Sequence, residues 1–264
     1  MSIRVYRGPH RDTGGPTFGF RTIPWIFFTL GLIGSALWST FPIDRRDSLT
    51  FFIILFIFIA TTAHAFIWWG MAWAGTFMVV SLGISFSVFA INSATGFIFG
   101  DVSYTYRLGF HLLYVPFITP LIWSSTIYLG IVISRRISRA VAMSPLTAAF
   151  ATTGLLVALD GLFVKAGFHS WLTWIDKPVL LGLSPLKFQL ITFVIVLIIM
   201  VLSGQNSKND RYSTRMPILA FTWLFVFTIY CARFLVENLT YFLTSLIVMA
   251  YIIVAFIYKT IKGD

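Results

Sequence analysis

Residues 101–111 bring together an acid, two phenols, a guanidinium and an imidazole: Asp101, Tyr104, Tyr106, Arg107 and His111. Long apolar segments flank them on both sides, and polar clusters in an oil-like chain are costly enough to mark a site. A second acid, Asp160, follows the apolar run Leu155-Leu156-Val157-Ala158-Leu159. A carboxyl group surrounded by hydrocarbon favours its neutral form, because burial penalises the charge. A protonated carboxyl beside an apolar pocket is what acid catalysis on a hydrocarbon needs. The opposing reading puts Asp160 at a helix end, paired with Lys165 or Arg107, and the sequence weighs the two evenly.

Taken singly, the other polar residues have bland readings. A tyrosine at a membrane interface is usually an anchor, and an arginine beside it a snorkelling charge. The bland reading weakens for the group, because Gly96, Gly100 and Gly109 let the backbone pack closely around it. His64, His111 and His169 have no metal-ligand spacing, so no metal site is expected. His64 reads as a hydrogen-bonded intramembrane residue, and Trp68, Trp69 and Trp73 as packing or an interfacial belt. Cys231 lies within an apolar run and offers neither a disulfide framework nor a thiolate metal site.

The elements that position these residues are helices in a membrane. Of the 264 residues, 58% are hydrophobic and 11% charged, against about a quarter charged in soluble domains; the mean hydropathy is +0.88. The apolar runs are too long for barrel strands, so the predicted fold is an all-α, polytopic transmembrane helix bundle. Runs near 23–41, 49–68, 71–91, 109–133, 145–164, 187–203, 217–235 and 240–258 give about eight helices, or seven if the last two are one. Pro116 and Pro120 are expected to kink the fourth, and Arg233 and Glu237 to form an i, i+4 clasp. Gly14-Gly15-Pro16 and 203–215 read as loops.

Residues 1–22 form a basic N-terminal segment and 23–264 a single membrane domain. Gly34-Ser35-Ala36 resembles a signal-peptide cleavage site, but the apolar character continues to Phe41, so the segment reads as a retained helix. The formal net charge is +10, yet the basic residues sit at the ends of apolar runs, Arg4, Arg7, Arg11 and Arg21 before the first and Arg135, Arg136 and Arg139 after the fourth. That pattern faces anionic lipid, and no nucleic-acid partner is expected. The larger share of lysine and arginine falls on the side of the N-terminus, placing both termini in the cytoplasm and the protein in the cell membrane. Segments 93–108 and 165–186 then emerge together on the opposite face, where both can line one site.

Nucleotide and soluble-enzyme signatures are absent: no Walker A, GxGxxG, GxSxG, HExxH, CxxC or DDxxD occurs. A lipid-phase substrate, or none, remains. A transporter is the weakest reading, because no paired broken helices or symmetric halves appear.

Three blocks resemble the membrane carotenoid-biosynthesis family, which includes the bisanhydrobacterioruberin and γ-carotene hydratases. The first and most specific comprises Thr95-Gly96-Phe97-Ile98-Phe99-Gly100, Tyr104-Thr105-Tyr106-Arg107-Leu108-Gly109 and Val115-Pro116-Phe117-Ile118-Thr119-Pro120-Leu121-Ile122-Trp123. The second is Asp160-Gly161 followed by Gly167-Phe168-His169-Ser170-Trp171, and the third Gly182-Leu183-Ser184-Pro185-Leu186-Lys187-Phe188. The resemblance spans about residues 60–200. It implies cofactor-free addition of water to the terminal C=C of an acyclic carotenoid, by protonation to a tertiary carbocation that water traps. On that reading Asp160 is the proton donor and Asp101 the second acid. Tyr104, Tyr106 and Trp171 steady the cation through their π faces, and Arg107, His111, Trp123 and His169 complete the substrate-binding set.

The chain departs from the family pattern where acid chemistry is expected. Phe89 and Leu156 stand where acids belong, Gly161 replaces a proline, and Lys187 replaces an asparagine. The alternative is therefore a non-catalytic membrane subunit that keeps the fold and packs with partner subunits, lipid or pigment.

Overall fold

A computed structural model describes residues 18–42, 45–137, 143–171, 183–203 and 239–262, together with 218, 219 and 222. In chain order the elements are α1 (Phe18–Leu37), α2 (Arg46–Trp69), α3 (Met71–Thr95), β1 (Val102–Tyr104), a 3-10 turn (Tyr106–Leu108), β2 (His111–Leu112), β3 (Val115–Pro116), α4 (Ile118–Ile137), α5 (Met143–Lys165), β4 (His169–Trp171), α6 (Leu183–Leu202) and α7 (Leu239–Lys262). The described residues thus hold seven α-helices, and α1 to α5 are long and apolar enough to cross a membrane. The chain is an all-α membrane bundle. The run at 217–235 lies almost wholly outside the described residues, as do Arg233 and Glu237.

Helix α4 is the axis of the bundle, sheathed on nearly every side, while α1, α2 and α3 turn apolar faces outward. Its composition explains the position. It carries Ser124, Ser125, Thr126, Gly130 and Ser134, all buried, and small or hydroxylated residues let helices approach closely where lipid supplies no hydrophobic drive. Ser124 Oγ lies 2.7 Å from Ser81 Oγ on α3, and Thr61 Oγ1 on α2 donates to Ser125 Oγ at 3.3 Å. Against α5, a Cβ at Gly130 would collide with Thr152 Oγ1 and come within 3.1 Å of the Ala148 carbonyl.

The aromatic residues near the other end of α2 are packing, as the sequence suggests. His64 Nδ1 is 2.6 Å from the Tyr128 hydroxyl, both buried. Trp73 stacks on Phe77 at 5.2 Å and meets Trp69 at 4.1 Å, and the Arg135 guanidinium sits over Trp69 at 4.1 Å. Gly70 alone separates α2 from α3, with a φ of 86° that a glycine tolerates. Gly31 and Gly34, the second within the apparent cleavage motif, seat Ile57 and Ile53 of α2 against α1.

One element differs from expectation. The apolar run at 109–133 is not a single kinked helix: residues 109–117 form a β-hairpin, and α4 starts at Ile118. Pro116 has no N–H to give a helix, and a residue before proline is pushed to extended backbone. The Phe117 N–H instead donates to the Phe110 carbonyl at 2.9 Å, closing the base of the hairpin. Pro120 falls in the first turn of α4, where no intrahelical donor is needed. A continuous apolar run reads alike for a short strand and a buried helix.

Because α4 and α5 touch through Gly130, Gly130→Ala is expected to lower stability by about 1–3 kcal/mol. Thr152→Ala in the same chain is expected to restore part of the loss, read as thermal unfolding in detergent.

Candidate functional site

The site forms where α5 ends. After Lys165 the chain reverses through Gly167 at φ 75°. The Gly167 N–H bonds the Val164 carbonyl at 3.0 Å and the Phe168 N–H the Phe163 carbonyl at 2.9 Å. This is a Schellman cap, in which a left-handed glycine satisfies the last carbonyls of a helix. Its usual apolar contact is also present, with Phe168 edge-on to Phe163 at 5.5 Å.

The reversal sends β4 back beside the helix end, where it pairs antiparallel with β1: Val102 with Trp171, Ser103 with Ser170, Tyr104 with His169. Segment 93–108 and the described part of 165–186, expected on one face, therefore meet. Thr105 fastens the join, its N–H donating to the Phe168 carbonyl at 3.0 Å and its hydroxyl to the carbonyls of Phe168 and Gly167 at 2.9 and 3.1 Å.

This geometry places His169 Nε2 2.9 Å from Asp160 Oδ1, with both side chains largely shielded, at 7% and 12% exposure. One proton serves the contact: Nε2–H donates to a carboxylate, or a carboxyl O–H donates to bare Nε2. The Tyr104 ring lies against the imidazole, centroids 5.6 Å apart. Part of Tyr104 reaches the surface, but burial of its phenol, and secondarily the charge of Asp160, raises its pKa well above the usual range. The phenol therefore stays a neutral donor. Asp160, His169 and Tyr104 form a compact acid–base group at the end of an apolar helix.

Arg107 serves this group from outside. It grips Asp47 through Nε and Nη2 at 2.8 and 2.7 Å, and its Nη1 donates to the Ala166 carbonyl at 2.7 Å. The guanidinium lies over the Phe168 ring at 5.2 Å. The hydrogen bond to Asp47 is the main cause of its raised pKa. Arg107, expected at the substrate or paired with Asp160, ties the start of α2 to the cap of α5. Sequence reasoning missed Asp47; its one signal is an acid in the first turn of a helix, where the dipole favours it.

The other expected site residues are spread around this group. Asp101 is exposed and has no hydrogen-bond or ion-pair partner among the described residues; its carboxylate fills the space that a Cβ at Gly96 would need. It lies just ahead of β1, three residues before Tyr104, about 10 Å of extended chain away. Tyr106 is exposed and packs on His111 at 4.7 Å, and His111 Nδ1 is 2.7 Å from the Gly109 carbonyl. Trp123 is buried edge-on to Phe89 at 5.0 Å, with Phe99 beside both. Phe89, where the resemblance leads one to expect an acid, is thus part of an aromatic core, and Leu156 is buried in the same core. Trp171 pairs through its backbone, its side chain lying outside the described residues, as does that of Lys187. Asn92 secures the loop before β1, accepting from the Phe99 N–H at 2.7 Å and donating to the Gly100 carbonyl at 3.0 Å. No metal-binding cluster occurs among the described residues.

Compared with known proteins, the chain matches one family model, described as carotenoid biosynthesis protein, over residues 49–254. No curated protein and no solved structure matches it.

A phenol whose pKa is higher folded than unfolded holds its proton more tightly in the native state, so its contribution to stability is present below about pH 10 and lost above it. Stability should fall as pH rises past that point, by up to about 1.4 kcal/mol per pH unit for this group. Tyr104→Phe is expected to flatten the slope, measured as denaturation midpoints between roughly pH 9 and 11.

Proposed function

The chain belongs to the carotenoid biosynthesis protein family, and from that premise we propose that it adds water to the terminal C=C of an acyclic carotenoid without a cofactor. The observation that carries the reading is the Asp160–His169 contact under the Tyr104 ring, a proton-transfer pair at the membrane end of an apolar helix. The Asp160–His169 pair delivers its proton to the less substituted alkene carbon, and the π electrons form the new C–H bond. The tertiary cation left on the neighbouring carbon is steadied by the Tyr104 ring face. Water adds its oxygen to that cation and loses a proton to the pair, which regains its starting state. The net reaction is alkene plus water to tertiary alcohol, and membrane lipid is the phase that delivers the substrate.

The distribution of lysine and arginine supports a cell-membrane protein with both termini cytoplasmic and this site at the opposite face. A second reading, a non-catalytic membrane subunit, is favoured by Phe89 and Leu156. Both are buried in the core at positions where the resemblance leads one to expect acids.

The test is expression in cells that accumulate lycopene or other acyclic carotenoids, with pigments analysed by mass spectrometry. Hydration gives products heavier by one or two waters, and Asp160→Asn is expected to reduce them by at least about 100-fold, the range of a general acid. Full activity in Asp160→Asn would remove Asp160 as the proton donor. Unchanged pigments across that panel, with the protein present and folded, would favour the subunit.

A further inference from the structure

The hairpin at 109–117 carries a feature that the hydration chemistry does not use. Its two-residue turn is Leu113-Tyr114, with φ of 47° and 63°. Turns of this geometry favour Asn-Gly, because a bulky side chain in left-handed backbone is strained by on the order of 1 kcal/mol or more. Here both turn residues are large, apolar or aromatic, and exposed: Leu113 at 62% and Tyr114 at 78%, with Phe110 at 70%. Leu112 and Phe117 are exposed as well. Five large apolar or aromatic side chains exposed on and beside a strained turn call for an apolar environment at the tip.

The attachment of the hairpin says which environment. Phe117 directly precedes the first residue of α4, the Gly109 backbone faces the Phe51 ring of α2, and Val115 is buried in the core shared with α3. Two-residue strands and a tight turn carry the tip only about 7–10 Å beyond the helix ends. The headgroup layer on each side of the hydrocarbon is about 5–8 Å thick, so the tip ends at the outer part of that layer, at the lipid surface. No Asp, Glu, Lys or Arg occurs between Arg107 and Arg135, which continues the uncharged surface of the membrane helices into the hairpin. Tyr114, apolar with one polar atom, suits the interface between headgroup and acyl chain.

We infer that the Leu113-Tyr114 tip is inserted in the lipid surface on the face that carries Asp160 and His169, with the bilayer as its partner. The inference does not rest on the hydration reading. To test it, the full chain carrying Cys231→Ala and Tyr114→Cys is labelled at residue 114 with a small fluorophore and reconstituted in phosphatidylcholine vesicles. The tip being exposed, the substitution leaves the fold intact. Quenching by lipid bearing a spin label high on the acyl chain is expected to exceed quenching by aqueous iodide several-fold. Dominant iodide quenching would mean that the tip stands in water and would overturn the proposal. Shielding from both quenchers would mean that a second copy or another protein covers it, and would overturn it equally.

Discussion

At the end of α5 the last carbonyls must find donors, and the chain supplies them by turning through Gly167 rather than by running on into water. That choice fixes the site. A left-handed residue at Gly167 returns β4 alongside the helix, and only a returning strand can set His169 against an acid nine residues earlier. The cap is held from a second direction by Arg107, which reaches the Ala166 carbonyl and Asp47 together. A partly exposed ion pair alone is worth little. Here the planar, bidentate fork also supplies a donor to a helix end and a cation to an aromatic face, a combination lysine cannot reproduce.

The bundle beneath follows from the solvent being oil. Between membrane helices apolar surface gains nothing by leaving lipid, so close contact and hydroxyl pairs carry the packing. This is why the least hydropathic span, α4, is the central one, and why its serines meet hydroxyls on α2 and α3. The buried His64–Tyr128 pair fits the same rule, since each satisfies the other in a place without water.

Much of this was legible in the residues. Apolar run length located the described helices other than α4 to within a few residues, and the alternation of faces brought 93–108 to the described part of 165–186. Asp160 stood out as a carboxyl after five apolar residues, though the sequence weighed a site role evenly against a pairing with Lys165 or Arg107. What stayed hidden depends on pairing across distance. Nothing local to Asp47 marks it as the partner of Arg107, sixty positions away. Nothing in His169 reveals which acid the reversed chain will reach. The hairpin at 109–117 was hidden for a different reason: its residues are as apolar as a helix, and only the proline pattern hinted that the backbone was extended.

The one-residue link at Gly70 bears on how this protein is made. With α2 and α3 joined by a single residue, no stretch of chain can wait at the membrane surface while one helix crosses before the other. The two must enter the bilayer as a preformed pair, antiparallel from the outset, with their backbone groups already bonded within each helix. His64 on α2 and Ser81 on α3 then arrive on one pair, each with its partner on α4, Tyr128 and Ser124, still to follow. In chain order, α4 thus meets the α2–α3 pair on one side before α5 follows to cover another.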